Sequence, residues 1–300
     1  MNLKSRIFYW YVAFVLALIC IALIPTPDKA TLAKYHISAS GLRILDLTLI
    51  IPEAGIWFAA FYGSQKFYRY SQLIKDGKDG LHIAKLSRGL LLLAFGLPVA
   101  ALVSSVLNLI ALHHPEFKSA SVVIGNYIAL VFPLLAFFWI GLGARGLSDM
   151  SHARPRFWVA NLVILTVIIL GVVFCCLIVL NHRTLRTSYH LSPQLVMLTL
   201  GVPYMYIWLL GLSALAELRA YSLKLRGVVY RKGWRLLIVG LASIILISIL
   251  IQYLTTLASW LTSLSLNGAL LLLYALLLLL GGAFIVLALG AQRLMKIEEV

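Results

Sequence analysis

Leu47-Thr48-Leu49-Ile50-Ile51-Pro52-Glu53-Ala54-Gly55-Ile56-Trp57 decides the fold, because the chain carries this stretch twice. Set without a gap against Leu198 to Ser222, the segment Leu47 to Ser71 keeps eight of 25 positions: Leu47, Thr48, Leu49, Pro52, Ile56, Trp57, Tyr70 and Ser71 meet Leu198, Thr199, Leu200, Pro203, Ile207, Trp208, Tyr221 and Ser222. The acids are not repeated. Asp46 and Glu53 face Met197 and Tyr204 in the second copy.

Working outward, the next helix repeats at a shorter offset. Gly89, Leu92, Leu93, Gly96, Leu97 and Ser104 match Gly233, Leu236, Leu237, Gly240, Leu241 and Ser248. The difference places seven extra residues in the earlier loop, around Lys75-Asp76-Gly77-Lys78-Asp79-Gly80, a run of turn formers without the further oxygen ligands of a calcium loop. A last pair of helices aligns weakly through Asn126 and Asn267.

Composition names the solvent. Hydrophobic residues make up 62%, charged residues 12% and the mean hydropathy is +0.99, far from the roughly one quarter charged residues of globular chains. Apolar runs at about 7 to 24, 43 to 63, 89 to 112, 120 to 144, 157 to 180, 194 to 216, 235 to 258 and 266 to 290 are each close to the ~20 residues that cross a bilayer. Ile7 to Ile24 has the look of a signal peptide, but it precedes the first copy as Phe157 to Leu180 precedes the second, so it reads as a membrane helix. The expected fold is all-α, a polytopic membrane protein of eight transmembrane helices. They form two parallel four-helix repeats, 1–150 and 151–300, in one membrane-embedded unit without a soluble domain. Four spans per copy return the chain to its starting side, so the copies should be related by an axis along the membrane normal.

The net charge of +15 is read as topology rather than as a nucleic-acid surface. Nineteen Lys and Arg fall in the termini and alternate loops on one side, and six fall on the other. By the positive-inside bias the protein is integral to the plasma membrane with both termini cytoplasmic, its basic side against anionic lipid headgroups.

Glu53 is the leading candidate for chemistry. It falls about 15 Å along the helix from Arg43, near the bilayer midplane, where an ionised carboxylate costs at least ~2.5 kcal/mol unless it meets a partner or a wet cavity. Asp46 lies seven residues earlier on the same face and Trp57 continues it. Pro52 removes the helical donor to the Thr48 carbonyl, freeing it for a cation, a water or a neighbour. Asp46, Thr48, Glu53, Trp57 and the counterpart Tyr204 therefore form the candidate solute or ion site. The alternative for Glu53 is a protonated acid hydrogen-bonded between helices, and for Asp46 an interfacial carboxylate paired with Arg43.

His113, His114 and Glu116 are weak candidates for a divalent metal, since imidazole and carboxylate suit zinc but the paired histidines lack helical spacing. Cys20, Cys175 and Cys176 lie in apolar runs and read as small hydrophobes, without disulfides. Aromatics including Phe67, Tyr68, Tyr70, Phe157, Trp158 and Trp234 gather toward the basic side and read as an interfacial belt. No HExxH, GxSxG or Walker-type loop occurs, so no catalytic residue and no cofactor are expected.

Three functions follow in order. The first is a small-solute or ion transporter, proton-coupled through Glu53. The second is a scaffold, sensor or assembly subunit binding itself or another membrane protein. The third is an enzyme acting on a lipid. Nucleic acid is excluded as a partner. The topology makes a direct prediction: a single cysteine placed at His113 reacts with impermeant thiol reagents added outside intact cells, whereas one placed in the Lys75 to Gly80 loop reacts only after permeabilisation.

Overall fold

The computed structural model describes residues 39–74, 79–114, 117–152, 157–180, 192–225, 228–256 and 266–298, with Val12, Gly77 and Pro155; at some of these, 39–53 among them, it describes the backbone alone. These residues are helical with short connections. The helices are α1 (Ala39–Leu73), α2 (Gly80–His113), α3 (Lys118–Met150), α4 (Phe157–Leu180), α5 (Pro193–Lys224), α6 (Val228–Thr256) and α7 (Leu266–Glu298). Among the described residues, five stretches are long and apolar enough to cross a membrane: Leu130–Met150, Phe157–Val179, Pro193–Lys224, Tyr230–Leu250 and Tyr274–Lys296. The expected first span, Ile7 to Ile24, lies outside the described residues except for Val12.

Chain punctuation follows local chemistry. Between α1 and α2 the Gly77 N–H donates to the Ile74 carbonyl at 2.9 Å and the Gly80 N–H to that of Gly77 at 3.0 Å, giving a tight turn that reverses the chain. At the start of α5 the Ser192 hydroxyl accepts from the Leu195 N–H at 3.2 Å, and Pro193 occupies the first helical turn, where its missing donor is harmless. Farther along, Met197–Gly201 widens into a π turn in which the Val202 N–H reaches back to the Met197 carbonyl. Pro203 follows directly, and the wider turn makes room for a ring that cannot donate to the ladder.

Six helices close into a ring. In order around it, α1 packs on α2, α2 on α3, α3 on α5, α5 on α6, α6 on α7 and α7 on α1, while α4 lies outside, mainly against α5. The outward position of α4 explains its composition. Phe157 is 82% exposed and Trp158 60%, and Leu162, Leu165, Ile168 and Val172 follow on faces that no described helix covers.

Glycine sets the closest seams. A Cβ on Gly89 would come within 2.6 Å of the Ala136 carbonyl oxygen of α3, and one on Gly96 would run into the Phe132 ring. In α6 and α7, a Cβ on Gly240 would lie 2.9 Å from both the Ala283 carbonyl oxygen and the Leu287 backbone nitrogen, and one on Gly290 2.9 Å from the Leu237 nitrogen. Backbones this near each other gain dispersion contacts along their length, the dominant attraction between helices in lipid. Not every glycine in the runs serves this purpose: a Cβ on Gly141 or Gly282 would meet nothing within 4 Å, and one on Gly281 only Ile56 at 3.6 Å.

The aromatic belt expected at the basic side divides in two. Tyr68, Phe157 and Trp158 do face outward, but Phe67, Tyr70 and Trp234 are each 1% exposed and belong to the core. Seam packing predicts that Gly89→Leu and Gly240→Leu each destabilise by about 1–3 kcal/mol or more through overpacking, whereas Gly282→Leu, on an open face, stays within about 0.5 kcal/mol. Thermal unfolding of the purified variants in one detergent checks the contrast.

Candidate functional site

The described centre of the ring is small and apolar. A cavity of about 20 Å³ is lined by Phe67, Leu86, Leu90, Ile140, Leu218, Trp234, Leu237, Leu241 and Leu287, drawn from all six helices. One water would fit by volume, but a buried water needs two to four polar partners, and the lining carries a single polar side-chain group, the Trp234 indole N–H. That N–H has no hydrogen-bond partner among the described residues, and the Tyr221 ring meets the indole edge to face at 5.1 Å. The centre at this depth is therefore dry.

Toward the basic end the ring opens. A cavity of about 520 Å³ is bounded by Tyr70, Ile74, Asp79, Ile83, Tyr221 and Tyr230, with Leu73, Gly77, Gly80 and Leu225 completing it. Two crossed hydrogen bonds brace this vestibule. The Tyr221 hydroxyl on α5 donates to Asp79 Oδ2 at the start of α2 over 2.8 Å. The hydroxyls of Tyr70 on α1 and Tyr230 on α6 lie 3.2 Å apart, and either can donate. Thus the two tyrosines kept in the duplicated stretch each reach across to the opposite group of helices. Their neighbours Ser71 and Ser222 also act alike, returning their hydroxyls to the carbonyls of Tyr68 and Arg219 at 2.6 and 2.8 Å.

Of the residues singled out from sequence, Trp57 and Tyr204 are described in full. Trp57 is 5% exposed and its counterpart Trp208 2%. Tyr204 is half-buried, stacked on Trp208 with centroids 6.3 Å apart, and Phe174 of α4 meets both rings edge to face at 5.8 Å. Tyr204 therefore packs toward the outer helix α4. Asp46, Thr48 and Glu53 lie on α1, but their side chains fall outside the described residues. Of the metal candidates, His113 ends α2 with its side chain undescribed, His114 is exposed with its backbone N–H on the Ile110 carbonyl and its ring against Phe117, and Glu116 is outside the described residues. Among the described residues no three His, Cys, Asp or Glu gather as a metal site would require.

Sequence reasoning missed the roles of Asp79 and Tyr230. The signal was present in Tyr70 and Tyr221: a hydroxyl retained in both copies beside a retained serine implies a bond kept in both places. Comparison with known proteins returns no matching family model, no matching curated protein and no matching solved structure.

The bracing predicts unequal costs. Tyr221→Phe removes a bond to a carboxylate, for which about 1.5–3 kcal/mol is expected, and Tyr70→Phe a neutral one of about 0.5–1.5 kcal/mol. Chemical or thermal unfolding of both variants should rank Tyr221→Phe as the more damaging.

Proposed function

We propose that the chain is a plasma-membrane permease for a small solute or ion, with both termini cytoplasmic. Its two four-helix repeats, 1–150 and 151–300, meet around an axis along the membrane normal. The observation that carries the reading is the stacking of a roomy vestibule on a dry constriction at the middle of the helix ring. Apolar constrictions of this kind gate pores by excluding water, and transport sites in duplicated folds lie where the repeats meet.

The order of packing supports the duplication. Exchanging α1, α2 and α3 for α5, α6 and α7 turns every neighbour pair of the ring into another neighbour pair. Phe67 and Leu218, equivalent at an offset of 151, both line the constriction, as do Leu90 and Trp234 at 144. For the last helix of each repeat, Gly89 meets Ile140 and Ala136 while Gly233 meets Leu294 and Gly290, an offset of 154 rather than the 141 implied by Asn126 and Asn267. The axis of exchange would pass through the dry cavity. In this reading Glu53, about 21 Å and fourteen residues before Phe67 along α1, serves as the proton or cation group beyond the gate.

The scaffold or assembly role is the second reading, and two observations favour it: the dryness of the centre, and the packing of Tyr204, the counterpart of Glu53, against α4 rather than toward the axis.

Reconstituted vesicles separate the two. A permease gated by this constriction should leak protons or small ions when Leu241→Ser places a hydroxyl in it, and Glu53→Gln should abolish coupled flux while leaving insertion intact. Vesicles that stay tight with Leu241→Ser, although the variant inserts and folds, would favour the scaffold.

A further inference from the structure

A third cavity, of about 440 Å³, opens between the ends of α1 and α7 on the basic side, lined by Lys66, Arg69, Gln72, Leu73, Gln292, Met295 and Lys296. None of these is acidic. We propose that this groove binds the phosphodiester headgroup of an anionic phospholipid, with its acyl chains lying along α1 and α7. The inference requires membrane embedding and is independent of transport.

Three cations and two amides suit a phosphate. Lys66 supplies a point charge, Arg69 a planar fork that can take two oxygens, and Gln72 and Gln292 neutral donors. Lys66 and Arg69 are half-buried, and the Lys66 ammonium sits 5.3 Å above the Tyr62 ring, which holds it over the α1 face.

The helix faces identify a lipid rather than a soluble phosphate. On α1, exposed Phe58 and Tyr62 precede Lys66 and Arg69 at spacings of four, four and three, all on one face. On α7, exposed Ile285 and Leu289 precede Gln292 and Lys296 at four, three and four. Each helix thus presents an apolar stripe that ends in polar head-binding groups, and Phe58 to Arg69 covers roughly 16 Å, suited to an acyl chain. Gly63 seats α1 directly on α7, its Cβ position 3.0 Å from the Phe284 carbonyl oxygen, so the stripes border a common seam.

The architecture does not demand these charges. At offsets of 151 and 154, Lys66 and Arg69 correspond to Glu217 and Ala220 on α5, and Gln292 and Lys296 to Phe138 and Leu142 on α3. The corresponding seam in the other half therefore lacks the basic set.

Native mass spectrometry of the full chain, titrated from detergent with phosphatidylglycerol or phosphatidylcholine, tests the site. Phosphatidylglycerol should bind preferentially. The triple variant Lys66→Gln, Arg69→Gln, Lys296→Gln should bind it roughly one hundredfold more weakly, each charge being worth about fivefold. A control losing the same charge at exposed Arg145, Lys224 and Arg235 should keep wild-type binding. Melting without added lipid reports whether the triple variant folds; if it does not, Lys296→Gln alone should show the roughly fivefold loss. Undiminished phosphatidylglycerol binding in the folded variants, or an equal loss in the control, would overturn the proposal. So would glycerol phosphate binding as tightly as the lipid through the same three residues, which would make this a soluble-anion site.

Discussion

Backbone-to-backbone contact at the glycine seams is the constraint on which this structure rests. In hydrocarbon, apolar side chains gain little by leaving lipid for one another, so helices associate through close packing and a few polar bonds. Gly89 and Gly96 give α2 its approach to α3, and Gly233, Gly240 and Gly290 give α6 its approach to α7. These two pairs pack closely, and α1 and α5 bridge between them to close the ring. Larger residues at the seams would widen the ring and open the apolar centre that it compresses.

Polar bonds appear where packing alone cannot fix register. At the basic end, Tyr221 to Asp79 and Tyr70 to Tyr230 tie each group of helices to the other. Deeper in, the Ser64 hydroxyl donates to the Leu90 carbonyl at 2.9 Å and fixes α1 on α2. The exposed ion pair of Arg145 and Asp149, at 3.9 Å, contributes little by comparison because water screens it. A wet, braced rim over a dry, tightly packed centre is the resulting gradient.

The helical class was legible in sequence, since runs of about twenty apolar residues have few folded solutions in a bilayer, but at the basic end the helices continue past the apolar runs, as α1 does to Leu73 and α7 to Glu298. Of the glycines whose small surfaces suited close helix approach, Gly96 and Gly240 do lie in two of the seams, whereas Gly141 and Gly282 face open space. Side-chain direction was less legible: Phe67, Tyr70 and Trp234 have the composition of an interfacial belt, but the ring turns them inward. Amphipathicity does not separate lipid-facing from protein-facing aromatics, because both surroundings are apolar. The partners Asp79 and Tyr230 depend on how distant segments meet, which a hydropathy pattern does not encode. Glu53, Asp46 and Thr48 stood out by chemistry alone, and their surroundings lie beyond the described side chains.

Water exclusion from the ring centre is the physical basis of both functional readings, as a closed gate in one and a solid core in the other. Its most direct measurement is thiol reactivity in a variant lacking the native cysteines, with single cysteines at Leu241 in the constriction and at Leu73 in the vestibule. With a dry centre, a small, water-soluble methanethiosulfonate reagent added from the basic side modifies the cysteine at Leu73 rapidly and leaves the one at Leu241 essentially unmodified. Comparable rates at the two positions would contradict this, because they would require continuous water where Phe67, Leu90, Leu218 and Trp234 now meet.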